Sequence, residues 1–236
     1  MHTRIHWIVF DIDDVLVNID TTLAGPRRRV FDAINLHHGE DSQAALRVYD
    51  ELYDESFTKP TLSLLERFKL GQVAETVFLD TIAQATARRL SMGEIRQCEI
   101  KMVQGQYIAC ARLLAQLARS CNVAGFANTH TLHWEYMLRH YTFFQHLKVA
   151  MASHLSGVAK PHMAAYLSMT KRLNAKPRSC LLIDDKEAHI KSAQRLGWQT
   201  IQFHSADQLV SELRTLGLLD GHSSIEDRDH WNMTRA

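Results

Sequence analysis

The chain has no excess of either charge: 27 Lys and Arg stand against 26 Asp and Glu, a formal net charge of +1 over 236 residues. Near-neutrality leaves no global field to draw in nucleic acid or an anionic membrane, so neither is an expected partner, and any polyanion contact would be local. Cysteine is scarce and unpaired in pattern. Cys98, Cys110, Cys121 and Cys180 form no CxxC pair and fall within apolar helix or strand patterns, which suits reduced packing thiols and excludes a disulfide framework. Long apolar runs are missing too: no stretch approaches a membrane span, and no basic segment or small-residue cleavage site precedes the first strand. A cytoplasmic protein is the expectation. No internal repeat is visible. The 46% hydrophobic and 22% charged content suffices for a full core, and the length accommodates one domain with a large insertion.

Short apolar runs at 5–10, 122–127, 147–152, 180–184 and 199–203 predict buried strands. Amphipathic segments at about 132–141, 161–173 and 187–196 separate the later ones. Such alternation predicts right-handed crossovers and a doubly wound parallel α/β sheet. The interval 18–104 shows no convincing strand but successive helical stripes. Pro26, Val30, Phe31 and Ile34 mark one helix ending near Gly39, and Leu46, Tyr49, Leu52, Tyr53 and Phe57 a second. Leu62, Leu65 and Phe68 mark a third, and Val77, Phe78, Ile82 and Ala85 a fourth that continues through Ile95 to Val103. A helix over 107–119 leads back into the core. The predicted division is an α/β core of 1–17 and 105–220, an all-helical insertion of 18–104, and a polar tail of 221–236.

Acidic side chains crowd two predicted strand ends: Asp11, Asp13 and Asp14 after Ile8-Val9-Phe10, and Asp184-Asp185 after Leu181-Leu182-Ile183. Carboxylates gathered where buried parallel strands emerge repel one another unless a cation lies between them, and magnesium is the natural candidate. A carboxylate can attack phosphorus and form an aspartyl-phosphate, which divides a hard hydrolysis into two displacements. Asp11, at the strand tip, is the predicted nucleophile. Asp13, two positions on, is placed to protonate the leaving oxygen and then activate water. The anionic phosphoryl group requires cations: the metal, held by Asp11 and Asp184, and Lys160, which precedes the helix-opening Pro161.

The ordered set Asp11-Ile12-Asp13-Asp14-Val15, a strand ending in a small polar turn, Lys160-Pro161 and Asp184-Asp185 resembles the haloacid dehalogenase (HAD) superfamily and spans nearly the whole chain. Asn128-Thr129-His130-Thr131-Leu132-His133, Asp184-Asp185-Lys186-Glu187 and Gly197-Trp198 resemble the branch containing small sugar phosphatases and the phosphatase-like domain of epoxide hydrolases. That resemblance implies a flavodoxin-like core with a helical cap and an Mg2+ held by the Asp11 carboxylate, the Asp13 carbonyl and Asp184, with Asp185 near it. It implies a phosphatase acting on a small phosphorylated metabolite, such as a sugar phosphate or nucleotide, and leaves the oligomeric state open. A phosphomutase shares the first chemical step.

Three departures stand out. Ala127 occupies the position where the family's second motif carries a Ser or Thr hydroxyl for the phosphate, leaving the Asn128 backbone amide or the Thr129 hydroxyl to bind it. His189 stands where the branch often has Asn, and Asp14 where many members have Gly. A weakened member that binds a phosphorylated ligand or partner without turnover is the competing expectation. Elsewhere, His130 and His133 have no Cys or acid beside them in sequence and read as packed or solvated. Arg27-Arg28-Arg29 reads as an exposed helix face, Trp134, Tyr136 and Tyr141 as packing residues, and Phe57 and Phe68 as cap core.

Overall fold

The computed structural model describes residues 4–39, 41–57 and 59–219. Its frame is a five-stranded parallel sheet of β1 (Trp7–Phe10), β4 (Asn122–Ala127), β5 (Val149–Ala152), β6 (Cys180–Asp184) and β7 (Gln199–Gln202), in the order β5-β4-β1-β6-β7. These strands are near-continuous apolar runs because both faces are covered. Helices α6 (Ile108–Leu117), α7 (Thr131–His140), α8 (Ser153–Ser156), α9 (Met163–Arg172), α10 (Glu187–Leu196) and α11 (Ala206–Thr215) follow or connect them. One face packs Ile8, Phe10, Leu113, Leu117 and Leu213, and the other Val9, Phe126, Tyr166, Met169 and Trp198. β1 lies at the centre, with Phe10 in register with Gly125 of β4 and Ile183 of β6. That register brings Asp11, Ala127 and Asp184 to one edge, at the carboxyl ends of the strands where ligands bind in open α/β sheets.

The helical insertion comprises α1 (Arg28–His37), α2 (Ser42–Tyr53), α3 (Leu64–Lys69), α4 (Glu75–Ala85) and α5 (Met92–Lys101). Their apolar stripes meet in a separate cluster built on Val30, Ile34, Leu52, Phe68, Phe78 and Ile95, with the Phe68 and Phe78 rings stacked at 4.3 Å. Leu132 of α7 inserts into the same cluster, so the insertion is seated on the core by shared packing.

Several elements depart from the sequence expectation. Two short strands, β2 (Val17–Ile19) and β3 (Val103–Gln106), pair antiparallel where the insertion leaves and rejoins the core. No strand is expected over 18–104, because segments of three and four residues are too short for a period-2 pattern to register, and pairing across such a distance leaves no local trace. Phe57 lies outside α2, at positive φ, buried with its N–H donating to the Glu66 carboxylate. The fourth stripe does not run on to Val103: the chain breaks after Ala85, passes Ala87 and Arg88 at positive φ, and restarts at a capping box between Ser91 and Glu94. The 161–173 helix begins at Met163, after a cis Lys160–Pro161 peptide. α11, capped by Ser205 and Gln208, was not among the expected elements. The predicted tail, 221–236, lies outside the described residues.

Candidate active site

Two strand ends and the loop between α8 and α9 deliver Asp11, Asp184 and Lys160 to one buried point. Lys160 Nζ lies 2.8 Å from Asp11 Oδ2 and 2.7 Å from Asp184 Oδ2, and none of the three side chains is more than 4% exposed. Phe126 lines the ammonium at 5.1 Å from its ring centroid. The Asp11 backbone continues the ladder through its N–H to the Ile183 carbonyl, and its Oδ1 accepts the Ile12 N–H at 2.7 Å. Burial and the Asp184 charge push the Asp11 carboxyl up, against the pull of Lys160. Burial also acts on Asp184, but Lys160 and a hydrogen bond from His189 outweigh it and hold that carboxyl below its usual range. Lys160 is kept protonated: the two carboxylates overcome its desolvation.

The turn after Asp11 aims the next acids. Leu16 and Val17 N–H both donate to the Ile12 carbonyl, and Asp14 takes φ 61, the left-handed region that favours glycine. This is the physical content of the Asp14 departure: the bend is kept, and Asp is among the few residues that tolerate it. Asp13 and Asp185 each leave Oδ1 buried without a hydrogen-bond partner. Burial raises Asp13 to about 6, and burial with Asp184 beside it raises Asp185. Unpartnered buried carboxylate oxygens beside two further carboxylates form a hard, all-oxygen donor set that fits Mg2+. Asp185 does not cap α10, whose preceding residue Lys186 accepts no side-chain cap and instead donates its N–H to Asp184 Oδ1 at 3.0 Å.

In the second motif the Asn128 side chain has a role apart from the backbone amide expected to face phosphate. The Asn128 side chain is spent on Lys160: its Nδ2 donates to the Lys160 carbonyl at 2.6 Å and its Oδ1 accepts the Lys160 N–H at 2.9 Å. It positions the lysine. Ser153, which sequence reasoning passed over, clamps the next residue, accepting the Thr129 N–H and donating to the Thr129 carbonyl, both at 3.0 Å. Thr129 Oγ1 is buried without a partner, and Ala127 is fully buried with no hydroxyl to offer.

On the cap side stands a buried ionic chain that corrects two expectations. Arg27 is buried: Nη2 lies 2.8 Å from Glu99 Oε2, Nη1 lies 3.2 Å from Glu55 Oε1, and the Tyr53 ring lies under the guanidinium. Arg28 and Arg29 alone form the exposed face. Lys69 Nζ closes the chain on Glu55 Oε2 at 2.6 Å, and its charge reaches Asp13 and lowers that group against burial. Burial is outweighed at Glu55 too, where Lys69 and Arg27 bring the carboxyl down to about 2. His130 and His133 are packed as expected, yet an acid is beside them: Glu99 arrives from α5, 34 residues before His133, with its carbonyl 2.8 Å from His133 Nε2.

The sequence profile of the haloacid dehalogenase-like hydrolases matches residues 5–197. The chain belongs to this family. Flavin mononucleotide hydrolase 1 of Arabidopsis thaliana is 32% identical over 73 residues, a match that covers 31% of this chain and 30% of that protein. Among solved HAD family structures, an enzyme from Bacteroides thetaiotaomicron in complex with magnesium and inorganic phosphate superposes with TM-score 0.67 at 19% identity, over 85% of this chain and 94% of that one. A HAD-like hydrolase from Porphyromonas gingivalis gives TM-score 0.69 at 20% identity, over 90% and 98%. At such identities the likeness is one of fold. The chain is a HAD-like hydrolase, and no helix among the described residues is long and apolar enough to cross a membrane.

Proposed function

We propose that the chain is a magnesium-dependent phosphatase that hydrolyses a small phosphomonoester through an aspartyl-phosphate on Asp11. The observation that carries this reading is Lys160 bridging Asp11 and Asp184 at 2.8 and 2.7 Å with all three side chains buried, since an ammonium facing paired carboxylates is what an incoming phosphoryl dianion requires. An Asp11 carboxylate oxygen attacks phosphorus as the bond to the leaving oxygen breaks, and the protonated Asp13 carboxyl gives that oxygen its proton. Asp13, now a carboxylate, takes a proton from water as the water oxygen attacks the phosphoryl group and frees Asp11. Lys160 remains charged throughout. Asp11, the Asp13 carbonyl, Asp184 and Asp185 would hold the metal, whose chemistry is to offset the phosphoryl charge. The Thr129 hydroxyl, buried and unpartnered, is the donor best placed in sequence to substitute for the one missing at Ala127.

The magnesium- and phosphate-bound structural relative supports the metal and the anion, and the flavin mononucleotide hydrolase supports a phosphomonoester substrate. A hydrolysis screen over sugar phosphates, nucleotides and flavin mononucleotide, with Mg2+ or chelator, tests the reading. Asp11→Asn is expected to abolish turnover, and Ala127→Ser to leave it equal or raise it by up to about a hundredfold. Chelator-insensitive activity that survives Asp11→Asn would overturn the mechanism. Ala127 also favours a second reading, a ligand-binding member without turnover; a parent protein that binds phosphate esters with magnesium but hydrolyses none would establish it.

A further inference from the structure

Lys160 and Lys69, two of the cations around the acids, are already spent on carboxylates. Lys160 Nζ is shared by Asp11 and Asp184 at 2.8 and 2.7 Å, and Lys69 Nζ is held by Glu55 at 2.6 Å. Lys186 differs: the residue is exposed, and among the described residues its Nζ makes no ion pair and no hydrogen bond. Its backbone is nonetheless fixed beside the acids. The Lys186 N–H donates to Asp184 Oδ1 at 3.0 Å, and its carbonyl accepts the His189 and Ile190 N–H groups at the start of α10. The surrounding protein desolvates the ammonium, but the charges of Asp11, Asp185, Glu55 and Asp13 outweigh this and keep it protonated. Three of those acids stand at the carboxyl edge of the sheet and Glu55 belongs to the cap, so the side chain faces the cleft between them. Resting on the phosphatase reading above, we propose that Lys186 is a second substrate-binding cation, donating to a phosphoryl oxygen from the side of Asp11 opposite Ala127.

Charge accounting supports it. Asp11, Asp184 and Asp185 bring three negative charges, which Lys160 and a divalent metal would balance. A phosphoryl dianion then leaves two charges uncompensated in a desolvated cleft, and Ala127 contributes no hydroxyl to meet them. The strand order puts Lys186 where it can. β1 lies between β4 and β6, so Ala127 at the end of β4 and Lys186 just past β6 flank Asp11 on opposite sides. Neighbouring strands lie about 4.8 Å apart, a distance that a lysine stem spans. An ammonium without a protein partner gives up only water when it takes a phosphoryl oxygen, and the charge-assisted bond it forms belongs to the stronger class.

Isothermal titration calorimetry of the full chain tests this, with Mg2+ titrated first and inorganic phosphate then titrated into the Mg2+-loaded protein. Lys186→Met is expected to weaken phosphate binding about tenfold while leaving Mg2+ affinity equal or tighter, because removing a cation beside the acids favours a metal and disfavours an anion. General damage to the site would weaken both. Lys186→Arg is expected to keep phosphate affinity within about threefold of the parent, since the charge and donors remain. Lys191→Met removes the same charge from an exposed lysine of α10 paired with Glu187, and is expected to match the parent. Unchanged phosphate affinity in Lys186→Met, a loss shared by Lys191→Met, or a parallel loss of Mg2+ would overturn the inference while leaving the phosphatase reading intact. A parent that binds neither Mg2+ nor phosphate would remove both.

Discussion

Asp13 carries two consequences of one physical fact, its burial beside other acids. Held at about 6 instead of its ordinary 3.8, it is protonated often enough near neutrality to act as a general acid. The expected outcome is a kcat/KM that falls as pH rises above about 6, since the protonated form is then lost from the free enzyme. The same shift bears on stability. A carboxyl whose folded pKa is raised contributes stability that is present below 3.8 and lost as pH rises through about 6. Asp13→Asn therefore removes a buried charge at pH 8, raising stability by about 2–3 kcal/mol while destroying activity, and has little effect on stability at pH 4. Denaturant melts at the two pH values check this; an equal effect at both would refute it. Asp14, at positive φ, shows a related compromise, since its conformation is set by the turn that aims Asp13.

Between elements, the decisive contact is where α3 meets α8. Gly71, just past the end of α3 and at φ 69, has its Cα pressed against the core: a Cβ there would lie 2.3 Å from the His154 carbonyl oxygen. Only glycine fits both the left-handed backbone and the close approach. Two residues before it, Lys69, whose charge reaches Asp13, begins the chain Lys69–Glu55–Arg27–Glu99 that runs through the cap. Gly71→Ala is expected to cost about 2–4 kcal/mol and to raise KM by misplacing Lys69, read by thermal melts and steady-state kinetics. A variant with unchanged Tm and KM would show that this seam does not position the cap. Packing at α5 and α7 adds to the seat, through Leu132 and through the His133 bond to the Glu99 carbonyl.

At the scale of the whole molecule, the neutral histidines buried in that seam tie folding to pH. Burial lowers His133 from 6.5 to about 4, and His130 is lowered by burial and by His133 beside it. For a group whose folded pKa is depressed, stability is present above 6.5 and is lost as pH falls through about 4, because the unfolded chain takes up the proton first. His133 alone accounts for about 3 kcal/mol over that window. The opposite trend at Asp13 offsets part of it. Calorimetric scans from pH 7 to pH 4 should show a falling Tm, and His133→Gln should flatten the fall; a variant that tracks the parent would exclude His133 as its source.

The five core strands, most of their helices and the Asp11, Lys160 and Asp184 positions were legible in the chain because each rests on a local pattern: an apolar run, a 3.6-residue stripe, an acid at a strand end, a lysine before a proline. What depended on partners distant in sequence was not legible. β2 and β3 are strands only because they pair with each other across the whole insertion. Arg27 looked like one of three surface arginines until Glu55 and Glu99 met it in the interior, and Glu99 became the acid beside His130 and His133 in the same way. That the Asn128 side chain holds the Lys160 backbone was hidden as well, since a hydrogen bond between residues 32 apart leaves no mark on composition or spacing. The sequence by itself determined which side chains stand at the strand ends, because covalent order and burial period act locally. Only the tertiary structure decided how those side chains are charged and held, because proton affinity and orientation depend on desolvation and on neighbours that folding alone assembles.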